Sequence, residues 1–212
     1  PYANYSAEKY YILPTGDVWI ISTKNELIHI ETHHETHEMS AYNFSKVHKI
    51  SCKDKINQIF QDREQHLWLL TDNGLYLTKK RQKQGLYTCS PVIHPSKSKL
   101  AFYAALESGG KLLFTSQNGY IWVFNNNKYT PLKLPTYSSV KFIKQLKDEK
   151  LFIGTDSDGF FIYSTKDNKY HHFHSTTDKR LKDNHIKDVF VDSKDNIWLR
   201  LNIPGVTCYN PQ

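Results

Sequence analysis

The sequence predicts an all-β fold of the β-propeller type, built from about five four-stranded antiparallel blades. Three observations carry this. A short motif recurs about every 45 residues. Apolar runs of about five residues alternate with tight turns. No segment of 12 or more residues shows a helical period.

The motif reads "DVWIIST" at 17–23, "HLWLLTDNGL" at 66–75, "KLLFTSQNGY" at 111–120, "LFIGTDSDGF" at 151–160 and "NIWLRL" at 196–201. Aligned on Thr or Ser, these copies put Trp19, Trp68, Leu112, Phe152 and Trp198 in one column, separated by 49, 44, 40 and 46 residues. The strands of small twisted sheets bury large side chains against the next sheet, so this column is the expected inter-blade core.

Each copy has the same internal order. A polar turn ("DREQH", "ESGGK", "KDEK", "SKDN") precedes an apolar strand. A second turn follows ("TDNG", "SQNG", "DSDG"), where Asp, Asn and Gly supply the positive φ of tight hairpins. An aromatic strand comes next ("LYL", "YIWVF", "FFIYS"). Upstream lies another apolar strand: "INQIFQD" (56–62), "LAFYAAL" (100–106), "VKFIKQL" (140–146) or "IKDVFVD" (186–192). Three antiparallel strands per repeat result, and the linking stretch leaves room for a fourth. The chain reads as one propeller segment over 1–212.

"INQIFQDREQHLWLLTDNGLYL" and "IKDVFVDSKDNIWLRL" resemble the two-component regulator propeller repeat. "LFIGTDSDGFFIY" keeps its Ile-Gly-Thr core at Ile153, Gly154 and Thr155, and "LKDNHIKDVFVD" is similar to its Leu-x-x-Asn-x-Ile linker. The resemblance covers about five repeats, nearly the whole chain. It implies a periplasmic sensor of a hybrid two-component system, non-catalytic in itself, that responds to oligosaccharides or another small ligand. It also implies a parent protein with two seven-bladed propellers, a β-sandwich, a membrane helix, a histidine kinase and a receiver with a helix-turn-helix output. Membrane attachment would come only through parts outside this chain. Seven blades of about 45 residues need about 315, so 212 residues make a partial propeller: an open arc, a five-bladed ring or a fragment completed by another chain. Blades left open at its ends would expose apolar faces and favour self-association as a dimer or larger. The alternatives are a propeller-type carbohydrate-active enzyme and a protein-interaction scaffold.

Composition narrows the function classes. Tyr, Phe and Trp make up 14% of the chain, which provides core bulk that disordered chains lack. The longest apolar stretches are far shorter than a membrane helix. The chain opens on Pro1 without a signal-like start and reads as a piece of a longer protein. The formal net charge is +7. Its lysines are scattered, which argues against nucleic acid and leaves a preference for anionic sugars. Cys52, Cys89 and Cys208 are odd in number and lack metal-ligand spacing, so buried or half-buried thiols are expected.

Five features invite a functional reading. "ETHHETHE" (31–38) places His33 and His37 four apart but falls one residue short of the zinc-protease order, so no metal is assigned. "YHHFH" (170–174) alternates like a strand, with His172 and His174 on one face. Its histidines read as partly exposed strand residues. "SGGK" (108–111) lacks the P-loop glycine and hydroxyl and reads as a turn. The carboxylates of "KDEK" and "DSDG" are explained by turn chemistry, so no catalytic residue and no cofactor is assigned. Arg200 breaks the pattern, standing where the other copies have Leu70, Phe114 and Gly154. A charge in a blade strand needs a partner, a channel or a ligand, and Arg200 is the one candidate ligand-binding residue.

Overall fold

The computed structural model describes residues 7–13, 16–32, 44–80, 87–92 and 99–210. These residues form nineteen strands and no helix, and the chain divides into two compact units, Pro1–His94 and Pro95–Gln212. The propeller fold expected from the repeats is present as five antiparallel sheets of the blade type.

The first unit holds two four-stranded meanders. One is β1 (Ala7–Ile12), β2 (Val18–Ser22), β3 (Glu26–Thr32) and β4 (Phe44–Ser51); the other is β5 (Ile56–Gln61), β6 (Leu67–Thr71), β7 (Gly74–Lys80) and β8 (Tyr87–Pro91). The second unit holds three. They are β9 (Phe102–Ser108) to β12 (Lys128–Lys133) by way of β10 (Lys111–Ser116) and β11 (Tyr120–Asn125); β13 (Val140–Gln145) to β16 (Lys169–Phe173) by way of β14 (Lys150–Thr155) and β15 (Phe160–Ser164); and β17 (Ile186–Val191), β18 (Ile197–Leu201) and β19 (Val206–Tyr209). The last sheet has three strands among the described residues, where four were expected.

Within each unit the sheets pack through their apolar faces. In the first, Trp19, Ile21 and Leu27 meet Ile56, Ile59, Leu67 and Leu69. In the second, Leu113 and Ile121 meet Val140, Ile143, Leu151 and Ile153. Phe152 and Phe160 meet Ile186, Val189, Ile197 and Leu199. Each such fully buried side chain contributes about 1.5–3 kcal/mol. Asn25 stitches the first pair together at a φ of 59°: its Nδ2 donates to the Asp54 carbonyl at 2.9 Å and its Oδ1 accepts from the Ile56 N–H at 2.8 Å.

A β-bulge falls at the same place in all five sheets. The first strand slips one residue just after the pairs Ala7–Ser22, Ile56–Thr71, Phe102–Ser116, Val140–Thr155 and Ile186–Leu201. Counting three residues back gives Trp19, Trp68, Leu113, Phe152 and Trp198. The structural column therefore runs through Leu113, and the alignment on Leu112 is one residue out of register. The doublet Thr115-Ser116 is the cause, because it offers two hydroxyls to align. The Ser116 hydroxyl donates to the Tyr120 carbonyl at 3.2 Å, as Thr71 does to Gly74 and Thr155 to Gly159. Thr115 instead bonds to the backbone of Ala104. The residue equivalent to Arg200 in that sheet is then Thr115 rather than Phe114.

Trp19, Trp68 and Phe152 are buried, while Trp198 is 41% exposed. Cys52 is buried, Cys89 half-buried and Cys208 exposed, all as free thiols. Burial pushes the Cys89 thiol up to about 11.

Candidate functional site

The second unit carries a wide cavity of about 760 Å3 beside the β14–β15 hairpin, lined by Asp158, His171, His172, His174, Asp178 and Arg180 among others. It is assembled by turn chemistry. The Thr155 hydroxyl donates to the Gly159 carbonyl at 2.8 Å and accepts from the Asp158 N–H at 2.9 Å. Gly159 has a φ of 64°, and a Cβ there would lie 2.1 Å from the Phe173 carbonyl oxygen. Only glycine lets the hairpin approach the end of β16 so closely. The register Phe160–Phe173 and Phe161–His172 then sets Asp158 beside the histidines.

His172 lies flat on Phe161, ring centroids 4.2 Å apart and planes within 8°. Its Nε2 is 2.8 Å from the Asp158 carbonyl oxygen and 3.5 Å from Asp158 Oδ1. His174 Nε2 is 3.7 Å from the same Oδ1. Asn184 holds His174 in place: its Nδ2 sits 2.7 Å from His174 Nε2, and its Oδ1 accepts from the Ser175 N–H at 2.8 Å. Its carbonyl also accepts from the Gly159 N–H at 3.0 Å. Asn184 thus ties the hairpin to the linker, and Leu181 anchors that linker in the core at 1% exposure.

Asp178 and Arg180 also line the cavity, and Tyr209 joins them in a hydrogen-bonded triad. Arg180 donates to Asp178 through Nε at 3.0 Å and Nη2 at 2.6 Å. The guanidinium sits 4.4 Å above the Tyr209 ring and also donates to the Tyr209 hydroxyl. That hydroxyl donates to Asp178 Oδ2 at 3.1 Å. The Arg180 hydrogen bonds hold the Asp178 carboxyl well below the usual carboxylate range, and burial raises the Tyr209 phenol.

The sequence-level candidates are placed as follows. His172 and His174 come together here with Asp158, whose side chain does more than shape its turn. Arg200 does not line the cavity. It is exposed on β18, and its Nη2 reaches the Lys187 carbonyl at 3.4 Å. His33 and His37 lie outside the described residues. Among the described residues, no three His, Cys, Asp or Glu side chains are placed to hold a metal ion. Asp158, Asp178, Arg180 and Tyr209 were not foreseen as a site. The signal available was the adjacency of "DSDG" and "YHHFH" across one hairpin.

No family model matches the sequence, and no curated protein matches it. Solved structures do share the fold. The extracellular domain of a putative hybrid two-component system from B. thetaiotaomicron superposes with a TM-score of 0.73 at 19% identity, over 97% of this chain and 27% of that one. The extracellular domain of another such system from the same organism gives 0.60 at 20% identity, over 99% and 28%. A catalytically inactive virginiamycin B lyase from Staphylococcus aureus, with quinupristin, gives 0.69 at 17% identity, over 100% and 72%. The likeness is one of fold. This chain spans little more than a quarter of the two extracellular domains.

Proposed function

We propose that this chain is a ligand-sensing segment of the extracytoplasmic part of a hybrid two-component system, periplasmic in location and non-catalytic in itself. The observation that carries the reading is the superposition of 97–99% of the chain on extracellular domains of such systems. The repeat motifs at 56–77 and 186–201 support it from the sequence side. No helix among the described residues is long and apolar enough to cross a membrane. In this reading the parent protein is a histidine kinase and the ligand is an oligosaccharide. Ligand must bind one arrangement of the sensor more tightly than another, since otherwise nothing is transmitted. A thermal-shift screen of neutral and acidic oligosaccharides tests the proposal. At least one saturable stabilisation is expected, and none across both sets would overturn it.

The fold shared with virginiamycin B lyase favours a second reading, a propeller enzyme acting on a bound ligand at the same cavity. Chemical change of any ligand found in the screen would establish it.

The partner at the last sheet is, in this reading, a second copy of the chain. The β17–β18–β19 registers place Phe190, Trp198 and Cys208 in one cross-strand row and Asp188, Arg200 and Val206 in the next. Phe190 and Val206 are 65% and 64% exposed. A two-fold apposition would set Arg200 against Asp188 of the copy and bury the aromatic row.

A further inference from the structure

We infer that the cavity bounded by Asp158, His172, His174 and Arg180 takes an uncharged, hydroxyl-rich ring such as a neutral saccharide, and that it rejects anionic ligands. The inference rests on the sensing role proposed above and assigns that role a site and a ligand class. It runs against the preference for anionic sugars drawn from the net charge of +7.

The argument is one of charge placement. The permanently charged groups lining the cavity are the carboxylates of Asp158 and Asp178 and the guanidinium of Arg180, a sum of −1. Arg180 is already committed to Asp178 by two hydrogen bonds and to Tyr209 by a third. No lysine lines the cavity. An incoming sulfate or carboxylate would therefore face Asp158 beside a guanidinium whose charge Asp178 already balances, and like charges in a partly desolvated site repel.

The Asp158 carboxylate suits hydroxyls, since a carboxylate oxygen accepts two sugar O–H groups at once. His174 has both ring nitrogens engaged, by Asn184 and Thr176, and His172 Nε2 meets the Asp158 carbonyl, so these rings shape the wall. His172 and His174 flank Asp158 on one side of the opening. His171 packs on Phe173 with ring centroids 4.6 Å apart, adding an aromatic wall on which the C–H face of a sugar ring can lie. Hydroxyl donors to a charged acceptor are the stronger class of hydrogen bond, so Asp158 should dominate the affinity.

Titration calorimetry on the full chain tests this with two probe sets. One contains uncharged xylo-, manno-, galacto- and cello-oligosaccharides. The other contains sulfated chondroitin and polygalacturonate fragments. Binding is expected from the uncharged set alone. Asp158→Asn, which keeps the shape and removes the charge, is expected to weaken it about tenfold or more. His172→Gln should weaken it less, and an unchanged melting curve for either variant shows that the fold is kept. Binding of the acidic set alone would overturn the inference while leaving the sensing role standing, as would binding that Asp158→Asn does not alter. Binding by neither set would overturn both.

Discussion

The indole N–H of Trp68 donates to Asp62 Oδ2 at 2.8 Å, and both residues are buried. Asp62 Oδ1 also accepts from the His66 N–H at 2.8 Å, so one carboxylate closes the turn and satisfies the buried indole. The last sheet repeats the device at the same spacing, with Trp198 donating to Asp192 Oδ2 at 3.1 Å. The settings differ. Trp68 is 4% exposed and Trp198 is 41% exposed. Removing the acceptor takes a hydrogen bond from an indole that water does not reach, whereas water can replace Asp192 at Trp198. Asp62→Ala is therefore expected to cost about 1–3 kcal/mol in urea unfolding. Asp192→Ala should cost clearly less, and equal losses would contradict this account of the pair.

Asp192 also sets an acid limb. The Asn196 side-chain amide, assisted by the Trp198 indole and by backbone N–H groups, lowers its carboxyl to about 2. An unfolded Asp titrates near 4 (about 3.9). A depressed folded value means that the stabilisation is complete above about 4 and disappears as the pH falls through about 2. Asp178 and Asp183 are lowered too and add to the same limb. Urea midpoints measured from pH 5 to pH 2 should fall less steeply in Asp192→Asn than in the wild-type chain. Parallel slopes would show that the carboxylate does not carry this share.

Gly159 and Gly109 separate strain from collision. Both have positive φ, 64° and 55°. Alanine at Gly109 meets open space, so the expected cost is the left-handed backbone alone, about 1–2 kcal/mol. At Gly159 the new methyl would strike the Phe173 carbonyl and part the hairpin from β16. Gly159→Ala should destabilise the chain more than Gly109→Ala in thermal melts, and it should also weaken ligand binding at the cavity. A smaller loss at Gly159 would contradict the close approach.

The exposed row on the last sheet predicts concentration-dependent association. Light scattering should show a dimer or larger species that Trp198→Ser with Phe190→Ser converts to monomer. A monomeric wild-type mass would remove the second copy as occupant of this face.

Much of the fold was legible because turns and strands are local. "TDNG" and "DSDG" marked hairpins whose conformation depends on Asn, Asp and Gly themselves, and the recurring motif placed Trp19, Trp68 and Phe152 on equivalent strands. The slip from Leu113 to Leu112 came from a pair of adjacent hydroxyl residues that only the bulge register separates. The exposure of Trp198 depends on what covers the last sheet, which a repeat pattern does not specify. The cavity was hidden for a different reason. Asp158 already had a sufficient role in its turn, and its meeting with His172 and His174 depends on the β15–β16 register and on Asn184, which brings the linker back to the hairpin.

Hydrogen exchange followed by mass spectrometry, with and without a neutral oligosaccharide that stabilises the chain, tests the central claim most directly. The expected result is slowed exchange confined to the β14–β15 hairpin at 156–160 and to 171–181, which together wall the cavity. Protection elsewhere with these segments unchanged would contradict it.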